Sequence, residues 1–442
     1  MAEIRPLNAL RFDPAKVRLE DVLTQPYDKI TPAMQEAYYQ RSPHNLVRFE
    51  LGKAQAGDSD AANVYSRAKS FIDEQLQGGV MRLATAPFYY CYQQRFEHPL
   101  HKGEWLTRNG LIALGRVYDY DDGVVFRHEQ TLSKPRADRL KLLSTTRIHS
   151  GQLFMLYEDP GHEMERVLEV VCKSSSPQAV VTDEFGVVNR IWALVSGFAT
   201  KFMADKRLII ADGHHRYETA LTYRNEQRAA GSGEGAHDWV MMTLVSMNAP
   251  GLIILPTHRV VFGLDGLTTE ALKKKLGEFF TIETLPSREP SSLTDMLTEV
   301  GREGPVLAVV TRDATLLLRA IPERTARILS GYTEMQRKLD VLTLHKVVLE
   351  HALGISEEAI REQRHVRYHR WADDAIRDVD SGANAAFLIN PVSVELLRDL
   401  TFAGTLMPQK STDFYPKLLS GLTLYSLDAF SAGEWSVGAV GE

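Results

Sequence analysis

The chain is poor in cysteine: its 442 residues include only Cys91 and Cys172. That scarcity excludes a disulfide scaffold and any cysteine-rich zinc module. The two thiols, far apart in sequence, read as reduced and buried, as expected of a cytoplasmic protein. Long apolar runs are missing too. The longest uncharged stretch, 240–257, is interrupted by Asn248, Pro250 and Gly251. It reads as two buried strands around a turn and not as a membrane span. The opening MAEIRPLNALRF is charged from its third residue and has no apolar block of the signal-peptide kind. A basic excess is likewise absent, since 51 Lys and Arg stand against 57 Asp and Glu, for a net charge of −6. Nucleic-acid binding is therefore not expected, and a polyanion must be held by a few local cations. No GxxxxGK[ST], HExxH or GxSxG string occurs. GSGEGA at 231–236 has dinucleotide-loop spacing, but it follows a helix instead of joining a strand to one, and reads as a linker.

What remains is an ordinary globular composition, 44% apolar and 24% charged. At roughly 150 residues per domain the length suggests about three domains. The pattern predicts a mixed α/β fold. Aromatic and β-branched runs at 86–96 and 110–120 read as strands joined by a polar hairpin connection. Segment 136–147 reads as a helix. Ile191, Leu194, Val195, Phe198 and Phe202 recur at helical spacing and predict a helix over 189–204. RLIIA at 207–211 reads as a strand, followed by a helix up to Gly231. From 263 to 323 the order helix, strand, helix, strand, strand suggests a small α/β satellite, and 339–355 reads as a helix. The expected organisation is a core over 1–262, a satellite over 263–330 and a largely helical region over 331–442 that packs back on the core.

The strand–turn–helix RLIIADGHHRYETALTYRNEQR, 207–228, carries the strongest chemistry. A helix start offers unpaired N–H groups and partial positive charge to an anion. Gly213 permits close approach, Arg216 brings a bidentate fork for phosphate oxygens, and His214 and His215 add donors. Asp212 could cap the helix, hold a Mg²⁺ that bridges phosphates, or orient a histidine. A capped helix start with solvent-facing histidines is the plain alternative.

Further candidates lie elsewhere. HEQT places His128, Glu129 and Thr131 after a strand end, with Asp138 and Arg139 later on a helix; Glu129 suits a general base or a metal ligand. Asp28, in the PYD turn, is a second carboxylate candidate, or else caps a helix with Pro32 near its first position. His258 and Arg259 end an apolar strand. Lys410, Ser411, Thr412 and Lys417 sit on a proline-tethered loop able to close over an anion.

ADGHHRYETAL, read with QPYDKI, FRHEQTLSKPRADRLKLL, LPTHRVV and LMPQKSTDFYPKLLSGL, resembles the family known as domain of unknown function 1015. The DGHHR string by itself is similar to the phosphate-binding motif of the ParB/sulfiredoxin superfamily, which includes free serine kinases. That resemblance implies a ParB/sulfiredoxin-like core elaborated by N-terminal segments, with nucleotide phosphates at Asp212–Arg216. It also implies ADP or ATP with Mg²⁺ as cofactors, and a small hydroxylated metabolite such as serine as the phosphoryl acceptor. His214 and Arg216 would then be catalytic, with Glu129 or Asp28 beside the substrate hydroxyl. Sulfiredoxins have a reactive cysteine where His214 stands, so sulfinic acid reduction is not implied. A nucleotide-dependent regulatory protein without turnover, or a phosphoserine phosphatase or metal-dependent hydrolase, would use the same groups.

Overall fold

A computed structural model describes residues 1–129 and 133–430. The fold is mixed α/β, with several sheets. It divides into two compact units. One comprises Met1–Arg127, Thr131–Leu252 and Pro416–Glu442; the other comprises His128–Gln130 and Ile253–Tyr415.

The first unit is built on a nine-stranded sheet among the described residues. Its middle is the antiparallel hairpin Tyr89–Glu97 and Trp105–Arg116, the pair expected from their aromatic and β-branched content. Trp239–Ser246 continues the sheet on one side, pairs in parallel with Leu153–Tyr157, and is buried at every position. That total burial explains its unbroken apolar sequence. Leu208–Asp212 pairs with Leu153–Tyr157, and the register shifts between Ile210 and Asp212. The shift is a bulge-like irregularity that re-aims the strand end carrying Asp212. The core beneath includes Cys91, Leu111, Met155, Leu168, Ile210, Tyr217 and Met242.

The sequence expectation fails over 189–204. The chain there forms the strand Val188–Leu194, then the helix Gly197–Met203 capped by Ser196. Val188–Leu194 hydrogen-bonds to strands on both sides, Tyr89–Glu97 and Ala179–Thr182. Ladder pairing on two edges overrides a helical spacing that properly belongs only to the downstream Phe198 and Phe202. The segment 339–355 is helical as expected, passing from Asp340–Thr343 into the π-helix Leu344–Ala352.

In the second unit one six-stranded sheet gathers Phe280–Leu285, Thr315–Ala320, Val306–Val310, Ala385–Leu388, His258–Val261 and Val366–His369 in that order. The helix, strand, helix, strand, strand order over 263–323 is present. Its strands do not stand apart, however, because Val306–Val310 pairs with Ala385–Leu388. The compact units therefore follow sheet pairing and not the chain order used to set boundaries at 262 and 330. Among the described residues no helix is long and apolar enough to cross a membrane.

A buried polar network in the first unit fixes the returning segment 416–419. Arg108, 1% exposed, donates to the Gln94 side chain and, at 2.5 Å, to the Pro416 carbonyl. Gln94 donates to the Lys417 carbonyl at 2.9 Å, and the Leu419 amide donates to the Tyr92 hydroxyl at 3.2 Å. Burial pushes the Arg108 guanidinium down to about 10, so it remains charged at neutral pH, packed over Phe154. Arg108→Ala leaves two buried acceptors without their donor. It is expected to lower stability by about 3 kcal/mol in urea unfolding. A midpoint unchanged from wild type would show that the network does not hold the segment.

Candidate functional site

The site grows from the end of the strand Leu208–Asp212. Gly213 follows with φ of +98°, and the helix His214–Ala229 begins at once. A Cβ on Gly213 would meet Leu153 at 3.0 Å and the Arg216 guanidinium at 3.1 Å. Glycine is thus required twice, by the left-handed backbone and by the arginine folded over it. Gly213 has no side chain to cap the helix. Asp212 does not cap it either. One Asp212 oxygen accepts from Arg216 at 2.8 Å, and the other accepts from Lys417 at 2.8 Å. Arg216 also donates to the Gln152 carbonyl. Burial would raise the Asp212 carboxyl, but Lys417, Arg216 and Lys29 outweigh it and hold the group well below the usual carboxylate range. His214 is buried and His215 half-buried at the helix start.

Next to Arg216 lies a pocket of about 40 Å³, lined in part by Tyr27, Glu50, Arg139, Ser150, Gly151 and Arg216. That space holds a few water-sized groups. Glu50, 2% exposed, is its central acid. Its Oε1 is buried and has no hydrogen-bond partner, while its Oε2 lies 3.7 Å from Arg139. Burial raises the Glu50 carboxyl above its ordinary value, a nearby Asp28 adds to the rise, and Arg139, Ser150 and Arg216 oppose it. Arg139 donates to the Glu50 carbonyl at 2.8 Å and lies 4.3 Å over the Tyr27 ring. Asp138 accepts from Arg139 and from Tyr65. Burial, and after it Asp28, pushes the Tyr27 phenol up to about 12.

The first unit therefore brings together Asp28, Asp138, Arg139, Asp212, Gly213, His214, His215, Arg216 and Lys417 from the residues singled out in the sequence. It adds Glu50 and Lys29, which sequence reasoning missed. Lys29 stood inside QPYDKI; Glu50, in RFELGK, carried no motif at all. Asp28 is exposed and caps nothing. Thr31 caps the helix Pro32–Arg41 by accepting from the Met34 amide at 3.2 Å, with Pro32 in its first turn. Because Arg216 folds over Gly213, that glycine makes room for the arginine first, not directly for an anion.

The other described candidates belong to the second unit. His128 is fully buried, with Nε2 2.8 Å from the Thr412 hydroxyl. Glu129 forms a parallel bridge to Met407. Arg259, fully buried, donates to His345 at 3.2 Å, to the Thr257 carbonyl, and to the carbonyls of Gln409 and Lys410. The buried His258 accepts from the Ile389 amide, and burial followed by Arg259 pushes its imidazole down to about 3. Ser411 donates to the Pro408 carbonyl at 2.5 Å, and Lys410 is exposed with φ of +57°. This unit has its own cavity of about 230 Å³, bordered by His345, Lys346, Tyr368 and Gln409 among others. Thr131 lies outside the described residues.

A resident Mg²⁺ does not fit Asp212, because both of its oxygens already face cations. Among the described residues no three His, Cys, Asp or Glu side chains cluster as metal ligands.

The Asp212 pairs make a directional prediction. Lys417→Met leaves Asp212 with one close cation and is expected to cost about 2–3 kcal/mol at neutral pH. The folded-state Asp212 carboxyl lies below its unfolded value of 3.8. Its stabilising contribution is therefore present above that value and fades as pH falls below it. In urea unfolding the gap between wild type and variant should narrow below about pH 4. A gap constant from neutral to acid pH would remove Asp212 as the partner.

No curated protein matches the chain. Solved structures give distant likenesses. A mutant free serine kinase in complex with ADP is 12% identical, with a TM-score of 0.35, covering 67% of this chain and 89% of that one. SbnI with a C-terminal truncation, from Staphylococcus aureus, is 11% identical, with a TM-score of 0.36, covering 73% and 90%. A conserved hypothetical protein from Pyrococcus furiosus is 12% identical, with a TM-score of 0.34, covering 69% and 94%. The family match runs over residues 4–342, takes in Tyr27–Lys29, Glu50, Arg139 and Asp212–Arg216, and stops before Lys417. On that match the chain belongs to the family described as Protein of unknown function (DUF1015).

Proposed function

We propose that the first unit is a phosphotransferase that passes a phosphoryl group from ADP or ATP to a small hydroxylated metabolite, with free serine the first substrate to test. The observation that carries this reading is the orphaned, buried Glu50 Oε1 in a pocket shared with Arg139 and Arg216. Phosphoryl transfer needs a carboxylate to orient and deprotonate the attacking hydroxyl, and cations to spread charge on the transferring group. Glu50 meets the first need better than Glu129, which belongs to the other unit. A raised carboxyl is also a better proton acceptor during attack. Arg216 and Lys417 meet the second need. Asp212 holds both side chains in place, and a phosphate entering at the helix start would share or replace it as their counter-ion. Arg139 holds Glu50 through its backbone carbonyl at 2.8 Å and its Oε2 at 3.7 Å. A magnesium ion in this reaction would arrive on the nucleotide's phosphates, with no dedicated protein cage.

The test is formation of phosphoserine from serine with ADP or ATP and Mg²⁺, read by mass spectrometry, together with calorimetric nucleotide binding. Glu50→Gln is expected to keep nucleotide affinity and lose turnover by at least about 10²-fold, whereas Arg216→Ala loses nucleotide binding. Stability moves the other way. An ionised Glu50 costs stability above its folded-state value, and the cost disappears below the unfolded value of 4.5. Glu50→Gln should therefore be the more stable protein at neutral pH and lose that advantage in acid. If wild type and Arg216→Ala are equally inactive and neither binds nucleotide, the proposal fails. Nucleotide binding with no transfer to any small hydroxy acid would make this a regulatory nucleotide-binding protein instead.

A further inference from the structure

The chain's two cysteines, 81 residues apart in sequence, meet in the first unit with their sulfurs 3.3 Å apart. Cys91 lies on the strand Tyr89–Glu97, opposite Leu111 on one side and Trp192 on the other, and is fully buried. Cys172 lies near the end of the helix Glu163–Ser174, packed on that sheet, and is half-buried. We propose that Cys91 and Cys172 form a site of reversible oxidation, closing to a disulfide that ties this helix to the central sheet.

Neither the core position nor the helix demands two sulfurs here. An alanine or valine would fill either place in an apolar layer, and a chain with only these two cysteines has no others with which to pair. The sulfurs need to approach by little more than 1 Å to reach a bond of about 2.05 Å. The two thiols are also unlike each other. The hydrogen bond shared by the two sulfurs lowers Cys172, with Arg190 assisting, while burial and the neighbouring Glu165 and Glu169 oppose. Cys91 is raised, by the same hydrogen bond and by burial. The more exposed sulfur is thus the readier thiolate, which is the division of labour between an attacking and a resolving cysteine.

The co-reactant is a hydroperoxide small enough to reach Cys172. The Cys172 thiolate attacks one peroxide oxygen, the O–O bond breaks, and hydroxide leaves, giving a sulfenic acid on Cys172. The Cys91 sulfur, losing its proton, then attacks Cys172; the S–OH bond breaks and the departing hydroxide takes that proton as water. For hydrogen peroxide the sum is two thiols and one peroxide going to one disulfide and two waters. A dithiol reductant reverses it.

The experiment uses the full chain, freed of reductant and treated with graded hydrogen peroxide. Free thiols are counted after denaturation, and intact mass and peptide maps are recorded. Both thiols should disappear together in a monomeric product lighter by two hydrogens. A single cross-linked peptide pair should contain Cys91 and Cys172, and dithiothreitol should restore the starting state. Oxidation should raise the melting temperature of wild type and leave that of Cys172→Ser unchanged. In Cys91→Ser the Cys172 sulfenic acid should persist and be trapped by dimedone. Oxidation of Cys172 in wild type with Cys91 still a free thiol would overturn the proposal, as would two thiols that remain free under excess peroxide. The wild-type peptide map decides the matter even if a variant does not fold.

Discussion

The site rests on one carboxylate between two cations. Asp212 ends a strand, Arg216 lies one helical turn beyond it, and Lys417 arrives from 205 residues further along the chain. Each cation is nearly buried, and neither would be stable there without a counter-ion. Asp212 supplies that counter-charge through one oxygen each. The arrangement also explains Gly213 and Gly151, since a Cβ at either would press on the Arg216 side chain. Arg108, Gln94 and Tyr92 then act at one remove: by pinning the backbone of 416–419 they put Lys417 within reach of Asp212. A small charge cluster is thereby tied to the central sheet of the unit, and its geometry is set before any ligand enters.

Legibility in the sequence followed the range of the interactions. The strand, glycine turn and helix at 207–229 were readable because each signal is local: an apolar run, a break and a helical repeat. The central hairpin was readable for the same reason. Val188–Leu194 was not, because its apolar residues also fit a helical spacing and one of its two partner strands, Tyr89–Glu97, lies about a hundred residues away in sequence. Lys417 was singled out on a loop, but its partner could not be. That loop in fact divides, with Ser411 and Thr412 bonded inside one unit and Lys417 inside the other. Glu50 left no trace. An isolated glutamate on a short helical turn looks like surface, and only the burial imposed by Tyr27, Arg139 and Ser150 makes it chemically unusual. The cysteine pair shows the same limit: two residues distant in sequence carry no sign that a sheet and a helix set them side by side.

Burial pushes both the Glu50 and the Asp212 carboxyl up, yet the net shifts are opposite, and the difference lies in their partners. Asp212 faces cations on both oxygens and is driven to the charged form. Glu50 has one cation at 3.7 Å, weaker help from Ser150 and Arg216, and an Oε1 without a hydrogen-bond partner, and burial prevails. A buried carboxylate so poorly compensated costs stability. Selection for folding alone would replace it with glutamine or an apolar residue. Two acids that share the influence of Arg216, one fixed as an anion and one kept basic, are what a site needs if it must hold cations and accept a proton at once.

The net charge of −6 adds a constraint on how such a site binds an anion. An acidic protein repels phosphate at long range, so the attraction must be short-ranged and begin only inside the cluster. In the proposed function Lys29, Lys417, Arg139 and Arg216 would provide it, yet Lys417 and Arg216 are already paired with Asp212, and Arg139 with Asp138. Binding of the proposed phosphate ligand would then be an exchange of counter-ions more than a capture by bare cations. An exchange discriminates by charge: a monoanion such as a carboxylate gains little over Asp212, while a phosphate, with greater charge and more acceptor oxygens, gains on both counts. If the proposed function holds, the same carboxylate that keeps the free cluster stable also sets the threshold a ligand must exceed.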